Sequence, residues 1–383
     1  MPALGEVLKS KSICICAGSG GVGKTTTSAA IATGMASQGL KVCVLTIDPA
    51  KRLADALGLR ELGNEATRVD PELLARQGVE MKGELWAMML DAKATFDELV
   101  ARHAPDEESR DRVLENRIYQ QISNALAGSQ EYMAMEKLFE LHTEGDYDLL
   151  VLDTPPTRNA LDFLEAPKRL TQFIEGRSLR VFMKPTGLAA KVAGRGASVA
   201  LSVLKRIVGF DLIADLAEFF NAFSGMVDGF QARAKRVNKL LADPTTCFLV
   251  VCGPQGEPIE EAVYFHRKLV EAKLPFGGVI VNKVHYPAEQ LRGEVDDLPA
   301  ALAAKLGDED LARRVAANFS DYQALAERDA RNIDHLAREL RTRSVIRVPY
   351  LDEDVHDLAG LAEINRYLFA TSAQREAMAA GRA

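Results

Sequence analysis

Gly18-Ser19-Gly20-Gly21-Val22-Gly23-Lys24-Thr25 has the spacing G-x-x-x-x-G-K-T. Glycines so placed let backbone N–H groups close around an anion, a lysine supplies the counter-charge, and a hydroxyl can ligate a divalent cation. That chemistry suits a nucleoside triphosphate. Gly20, Gly21, Val22, Gly23 and Thr26 would wrap the phosphates, Lys24 would reach β- and γ-phosphate oxygens, and Thr25 would hold Mg²⁺. Hydrolysis also needs a carboxylate at the metal and a group that orients water. Asp153, in Asp153-Thr154-Pro155-Pro156, is the candidate for Mg²⁺, directly or through a water, and Asp48, in Asp48-Pro49-Ala50, for the attacking water. Either aspartate could instead cap a helix that follows it.

A further pair, Asn282-Lys283, bears on the base. In GTP-binding proteins an Asp two places after such a lysine accepts from both guanine nitrogens, but here that place holds His285. An imidazole cannot make the two-oxygen contact, so ATP is favoured over GTP. Asn282, which both donates and accepts, reads either as an adenine contact or as a turn residue after a strand.

These groups are far apart in sequence and must be gathered by strand ends. Apolar runs predict strands at 12–17, 41–47, 84–90, 147–152, 246–252, 277–281 and 344–348, and 24–38 has helical spacing up to Gly39. Strand, helix, strand in that order implies parallel pairing, so the fold class expected is α/β, a doubly wound and mostly parallel sheet of the P-loop NTPase kind. Ligands of such sheets bind at the carboxyl ends of the strands, which puts Asp48 and Asp153 at the rim of the glycine loop. Residues 95–144 and 158–243 read as helices without a strand and are expected to form an all-helical insertion lobe. The ATPase core would then comprise 1–94, 145–157 and 244–370, with an Ala-rich tail, 371–383, expected to fray.

Composition narrows the alternatives. Of 383 residues, 47% are hydrophobic and 26% charged, the proportions of a globular chain. Lys and Arg number 47 against 54 Asp and Glu, so no general nucleic-acid partner is expected. Five cysteines (Cys14, Cys16, Cys43, Cys247, Cys252) with no leader-like segment suggest a reduced, cytoplasmic protein. The least polar stretch, 187–209, is broken by Lys191, Arg195, Lys205 and Arg206 and does not read as a membrane span. In the helical lobe, Leu212, Leu216, Phe219, Phe223, Met226 and Phe230 recur at helical steps. Such a stripe is either core or, at Phe219, Phe223, Met226 and Phe230, a groove for an apolar client helix.

Taken together, Gly-Gly-Val-Gly-Lys-Thr-Thr at 20–26, Asp48-Pro49-Ala50 with Leu53 and Asp55, Asp153-Thr154-x-Pro156-Thr157 with Phe163-Leu164 and Pro167, and Asn282-Lys283 resemble the ArsA-type P-loop ATPases. Val348-Pro349-Tyr350 with Leu358 to Leu361 is similar to that family's adenine-side loop, and the likeness runs from about Ser12 to about Leu368. The family includes the arsenite-pump ATPase and factors that deliver tail-anchored membrane proteins. The resemblance implies Lys24 and Thr25 on phosphate and Mg²⁺, Asp48 on the attacking water, Asp153 opening the second switch, and Asn282 and Pro349 bordering adenine. It also implies a dimer, of identical or paralogous chains, that ATP closes, and a hydrophobic membrane-protein client or transporter component as partner. The protein would be cytoplasmic and reach the membrane through that partner.

Three departures qualify the likeness. Ser19 stands where the family carries a lysine that reaches into the opposite subunit, so the lone protein is expected to hydrolyse slowly, either with local compensation from Lys51, Arg52 or Arg158 or with help from a partner chain that keeps the lysine. The cysteines offer only Cys14-x-Cys16, so no zinc clasp is expected. A single ATPase unit spans the chain, without an evident soft-metal cluster for arsenite. Two alternatives stay open: a nucleotide-gated scaffold with little turnover, and a MinD/ParA-like positioning ATPase, although the latter lacks a helical insertion of this size.

Overall fold

The computed structural model describes residues 3–48, 50–122, 129–155, 166, 219, 225–287, 298–342, 344–351, 355 and 357–380. The chain opens with α1 (Leu4–Leu8), β1 (Ile13–Gly18), α2 (Lys24–Ser37), β2 (Lys41–Thr46), α3 (Arg52–Ala56), β3 (Thr67–Arg68), α4 (Pro71–Arg76) and β4 (Glu84–Met89). Helices α5 (Ala92–His103), α6 (Glu107–Leu114), α7 (Arg117–Ile122) and α8 (Ser129–Glu144) lead to β5 (Leu149–Asp153). Then come α9 (Val227–Leu241), β6 (Thr246–Cys252), α10 (Gly256–Ala272), β7 (Phe276–Val284), α11 (Leu298–Leu306), α12 (Glu309–Glu339), β8 (Val345–Pro349), α13 (Leu358–Leu368) and α14 (Ser372–Ala380).

Two units divide these elements. One comprises Met1–Met89, Gly145–Ala160 and Ala242–Ala383, the other Leu90–Glu144 and Leu161–Leu241. The first is an α/β unit on a single eight-stranded sheet, ordered β3-β4-β2-β5-β1-β6-β7-β8. Every pairing is parallel except that of β3 with β4. Strands β1, β5 and β6 are buried along their whole length, as unbroken apolar runs must be when helices cover both faces of a parallel sheet. The doubly wound, mostly parallel P-loop NTPase-like fold follows from this order.

All seven expected strands are present. β7 runs on to Val284, past the predicted end at 281, and β3 is an additional two-residue antiparallel edge too short to carry an alternating pattern. In register, Asp153 of β5 lies opposite both Cys16 of β1 and Thr46 of β2, so β2 and β5 end level, β1 runs two residues further, and their following loops share one edge of the sheet. The five cysteines are free and buried, with Cys14, Cys16 and Cys247 packed in the apolar core.

The tail departs from expectation. Ser372–Ala380 is helical, and the buried Arg375 guanidinium donates to the carbonyl of Tyr367, near the end of α13, and to that of Ala370 just beyond it. Composition alone cannot show such a contact.

The second unit is helical throughout its described residues. Asp91 and Asp106 cap α5 and α6 through the backbone N–H groups of Ala94 (2.9 Å) and Ser109 (2.7 Å). Its core holds Phe96, Tyr119, Tyr132, Met135 and Leu138. Phe219, Met226 and Phe230 belong to that core and are at most 2% exposed. Phe219 stacks on Tyr119, and Phe230 meets Phe96 edge-on. Apolar rings at helical spacing have here found one another, so these three side chains offer no surface to a client in this conformation. Phe223 lies outside the described residues, as does the stretch 187–209. A buried ion pair, Arg233 with Glu136, joins α9 to α8, with Arg233 also 4.3 Å from the centre of the Phe139 ring. Burial pushes the Glu136 carboxyl above its ordinary range, against the pull of Arg233.

Candidate functional site

The glycine loop leaves β1 at Gly18 and enters α2 at Lys24. A Cβ on Gly18 would overlap the Val251 carbonyl oxygen of the neighbouring strand. Gly23, at φ 88°, is the N-cap of α2 and makes no side-chain cap, so the first N–H groups of this helix face outward, the geometry that favours a phosphate. Asn282 fixes the other side of the loop. Its Nδ2 donates to the Val22 carbonyl at 2.9 Å, and any Cβ on Gly23 would come within 2.5 Å of that nitrogen.

Lys24 is nearly buried and its Nζ donates to the Ser19 carbonyl at 2.7 Å. Burial holds its ammonium below the ordinary lysine range, with Asp153 and Asp48 pulling the other way. Ser19 itself is buried, and its hydroxyl has no hydrogen-bond partner among the described residues. Thr25 Oγ1 donates to Asp153 Oδ2 at 2.6 Å, and Thr46 Oγ1 donates to the same oxygen at 3.0 Å.

Asp153, closing β5, is 1% exposed, and its second oxygen, Oδ1, is buried without a partner among the described residues. Burial, helped by the negative charge of Asp48, pushes its carboxyl up to about 6, although Thr25, Thr46 and Lys24 oppose the shift. A buried acid that is half-satisfied and sits beside a hydroxyl and an ammonium is built to receive a cation. Thr25 and Asp153 supply the hard oxygen donors that Mg²⁺ takes when phosphates and water complete its shell. Among the described residues no group of three or more His, Cys, Asp and Glu is arranged so that it could hold a metal ion by itself.

Asp48 follows β2. Its backbone N–H donates to Thr46 Oγ1 (3.2 Å), its Oδ1 accepts from the Ala50 N–H (2.9 Å), and its Oδ2 lies 3.5 Å from Arg52 Nη1. The side chain therefore closes a local turn and caps no helix, since α3 begins after Lys51 without a side-chain cap. Thr154 anchors the start of the next loop through the Cys16 carbonyl at 2.8 Å, while 156–160, with Arg158, lie outside the described residues.

Beside the loop opens a cavity of about 290 Å³ lined by Gly23, Thr26, Arg52, Asn282, Pro349 and Tyr350 among others. Lys51 lines a different, smaller cavity with Thr46 and Glu61. One edge of the sheet thus carries the loop residues 20–26, Asp48, Asp153, Asn282 and Pro349. Sequence reasoning missed Thr46, which bridges the two aspartates. Its only signal is positional, because it faces Asp153 once β2 and β5 pair in this register.

Residues 11–322 match the family of anion-transporting ATPases. The chain is similar to the ATPase GET3 of Malassezia globosa, 28% identical over 294 residues that cover 75% of this chain and 77% of that protein. It is likewise similar to the ATPase GET3 of Podospora anserina, 25% identical over 289 residues, 75% of this chain and 77% of the relative. The ATPase GET3A of Arabidopsis thaliana is 26% identical over 279 residues, 73% and 68% of the two chains.

Proposed function

This chain belongs to the anion-transporting ATPases and is an ATP hydrolase, and on that premise we propose that it is a Mg²⁺-dependent ATPase that moves or targets a hydrophobic membrane-protein partner. The observation that carries this reading is the convergence at one sheet edge of Lys24, whose ammonium donates to the Ser19 carbonyl of the glycine loop, with Thr25, Asp153 and Asp48, which hydrogen bonds join through Asp153 Oδ2 and Thr46.

In the proposed reaction the N–H groups at the start of α2 and the Lys24 ammonium hold the phosphates. The burial that lowers the lysine also strengthens its attraction for an anion. Asp48 holds the attacking water at the γ-phosphate and keeps its carboxylate oriented through the Ala50 N–H. Thr25 and Asp153 would hold Mg²⁺, which when bound offsets charge on the β- and γ-phosphate oxygens. Asn282 and Pro349 border the base, and ATP is the nucleotide bound. The working form is a dimer of identical or paralogous chains whose closure is driven by ATP, an equilibrium that ligand binding biases. The client is a tail-anchored or other hydrophobic membrane protein, or a transport component, met in the cytoplasm. Among the described residues no helix is long and apolar enough to cross a membrane.

Asp48→Asn separates binding from chemistry. Mg-ATP affinity should be retained while kcat falls, because an amide still holds water but has lost the charge. Turnover equal to wild type would remove Asp48 from the mechanism. In the ATP-loaded variant, light scattering should show a mass of two chains and retention of a purified hydrophobic tail segment. A single-chain mass that neither binds nor releases such a segment with nucleotide would overturn the transport reading.

A further inference from the structure

At the end of β7 the ladder with β8 is irregular. Register shifts between Val281 and Val284, and Lys283 takes a left-handed φ of 61°. A bulge of this kind re-aims side chains beside a site. Here it turns Asn282 toward the glycine loop and then restores pairing at Val284 with Pro349, where the Tyr350 N–H donates to the Val284 carbonyl at 2.9 Å. His285 and Tyr350 consequently emerge side by side, with their rings parallel to within 13° and centroids 5.4 Å apart.

The histidine is held on its other sides. Its backbone N–H donates to Asp329 Oδ2 at 3.1 Å, and its Nδ1 lies 2.7 Å from the same oxygen. Asp329, on α12, is fully buried, and its Oδ1 accepts from Arg328 at 3.1 Å. A carboxylate only accepts, so Nδ1 is the donor and the ring plane is set. Tyr322 meets the imidazole edge-on at 5.5 Å. Tyr350 by contrast is 53% exposed and lines the cavity with Asn282, Lys283 and Pro349.

An aromatic ring that is braced on one face and open to a nucleotide-sized cavity is a stacking platform. We infer that Tyr350 is the surface on which the nucleotide base stacks, and that His285, held by Asp329, is the positioning residue that fixes this ring. The inference rests on the nucleotide reading and adds to it a recognition that ignores the edge of the base. Every base has a π-face, so stacking contributes to ATP and GTP alike. Selection between them falls to Asn282 and its surroundings.

The test uses the full chain and compares binding of ATP, GTP and inorganic tripolyphosphate by titration calorimetry. Base–aromatic stacking corresponds to a loss of about 5- to 150-fold on removal of the ring. Tyr350→Ala should weaken ATP and GTP by that factor equally and leave tripolyphosphate unchanged, while Tyr350→Phe restores both nucleotides. His285→Ala should reproduce part of the loss, again for nucleotides alone. Because Tyr350 is exposed, its variants should fold, so the platform stays testable even if His285→Ala does not. Tyr350→Ala that weakens tripolyphosphate as much as ATP, or weakens neither, would overturn the platform alone. A wild-type protein that binds neither ATP nor tripolyphosphate would overturn the nucleotide reading and the platform with it.

Discussion

Thr46→Val replaces one hydroxyl with a methyl group of nearly the same shape, in a strand where both residue types sit well. Thr46 is 1% exposed, so the change opens no cavity of consequence and isolates the hydroxyl's role. Two contacts go with it, the donation to Asp153 Oδ2 at 3.0 Å and the acceptance from the Asp48 N–H at 3.2 Å. A hydrogen bond to a charged group contributes about 1.5–3 kcal/mol, and Asp153 would be left with Thr25 as its remaining hydroxyl donor. The loss should appear as a destabilisation of that size in urea denaturation. The catalytic effect follows from position, because both aspartates lose their common anchor, and a shift of about 1 Å at such groups can cost about 100-fold. Phosphate release should therefore fall about 10- to 100-fold in kcat, with KM for ATP changed by less than about threefold. Thr46→Ser keeps the hydroxyl and drops the methyl, so it should lose stability but keep most of the turnover. If Thr46→Val turns over like wild type, or Thr46→Ser falls as far as Thr46→Val, the bridge between the aspartates has no part in catalysis.

Arg52 lines the cavity beside the glycine loop and approaches Asp48, whereas Lys51 lines another cavity, so of these two described cations Arg52 is the better placed to supply the charge that Ser19 lacks. A catalytic cation in phosphoryl transfer contributes about 10³–10⁵ in rate. Arg52→Ala should lower kcat at least about tenfold, with partial recovery on adding Ser19→Lys, and an unchanged kcat would return Arg52 to the status of a surface charge. In the helical unit, Glu136→Ala leaves the Arg233 charge buried and unpaired, which should cost about 3–5 kcal/mol in urea denaturation. Replacing both Glu136 and Arg233 with Met should recover most of that loss, and a double variant no better than the single one would show that the pair is not the source of the penalty.

What could be read from sequence divides along physical lines. The seven strands were legible because an unbroken apolar run of five to seven residues has few other stable fates. The loop at 18–25 was legible because its requirement is local, glycine backbone beside one lysine and one hydroxyl. Asp48 and Asp153 were placed by topology, since parallel strands deliver their ends to one edge. Contacts that depend on register were not legible. Thr46 meets Asp153, and His285 meets Tyr350, only after strands distant in sequence pair at one alignment and, in β7, after a bulge moves that alignment. The Phe-rich stripe shows the same limit. Periodicity identifies an apolar face at Phe219, Met226 and Phe230, but whether it packs against Tyr119 and Phe96 or awaits a partner depends on neighbours in other helices.

The most direct test of the ATPase site is steady-state phosphate release by the purified chain, in Mg²⁺ and in EDTA, for wild type and Lys24→Ala. The Lys24 ammonium contributes charge at the loop and, among the described residues, hydrogen-bonds only the Ser19 carbonyl, so its loss should spare the fold, as near-ultraviolet circular dichroism would verify. Phosphate release should require both Mg²⁺ and Lys24. Equal rates in a folded Lys24→Ala variant, or an EDTA-insensitive rate in wild type, would contradict this assignment of the site.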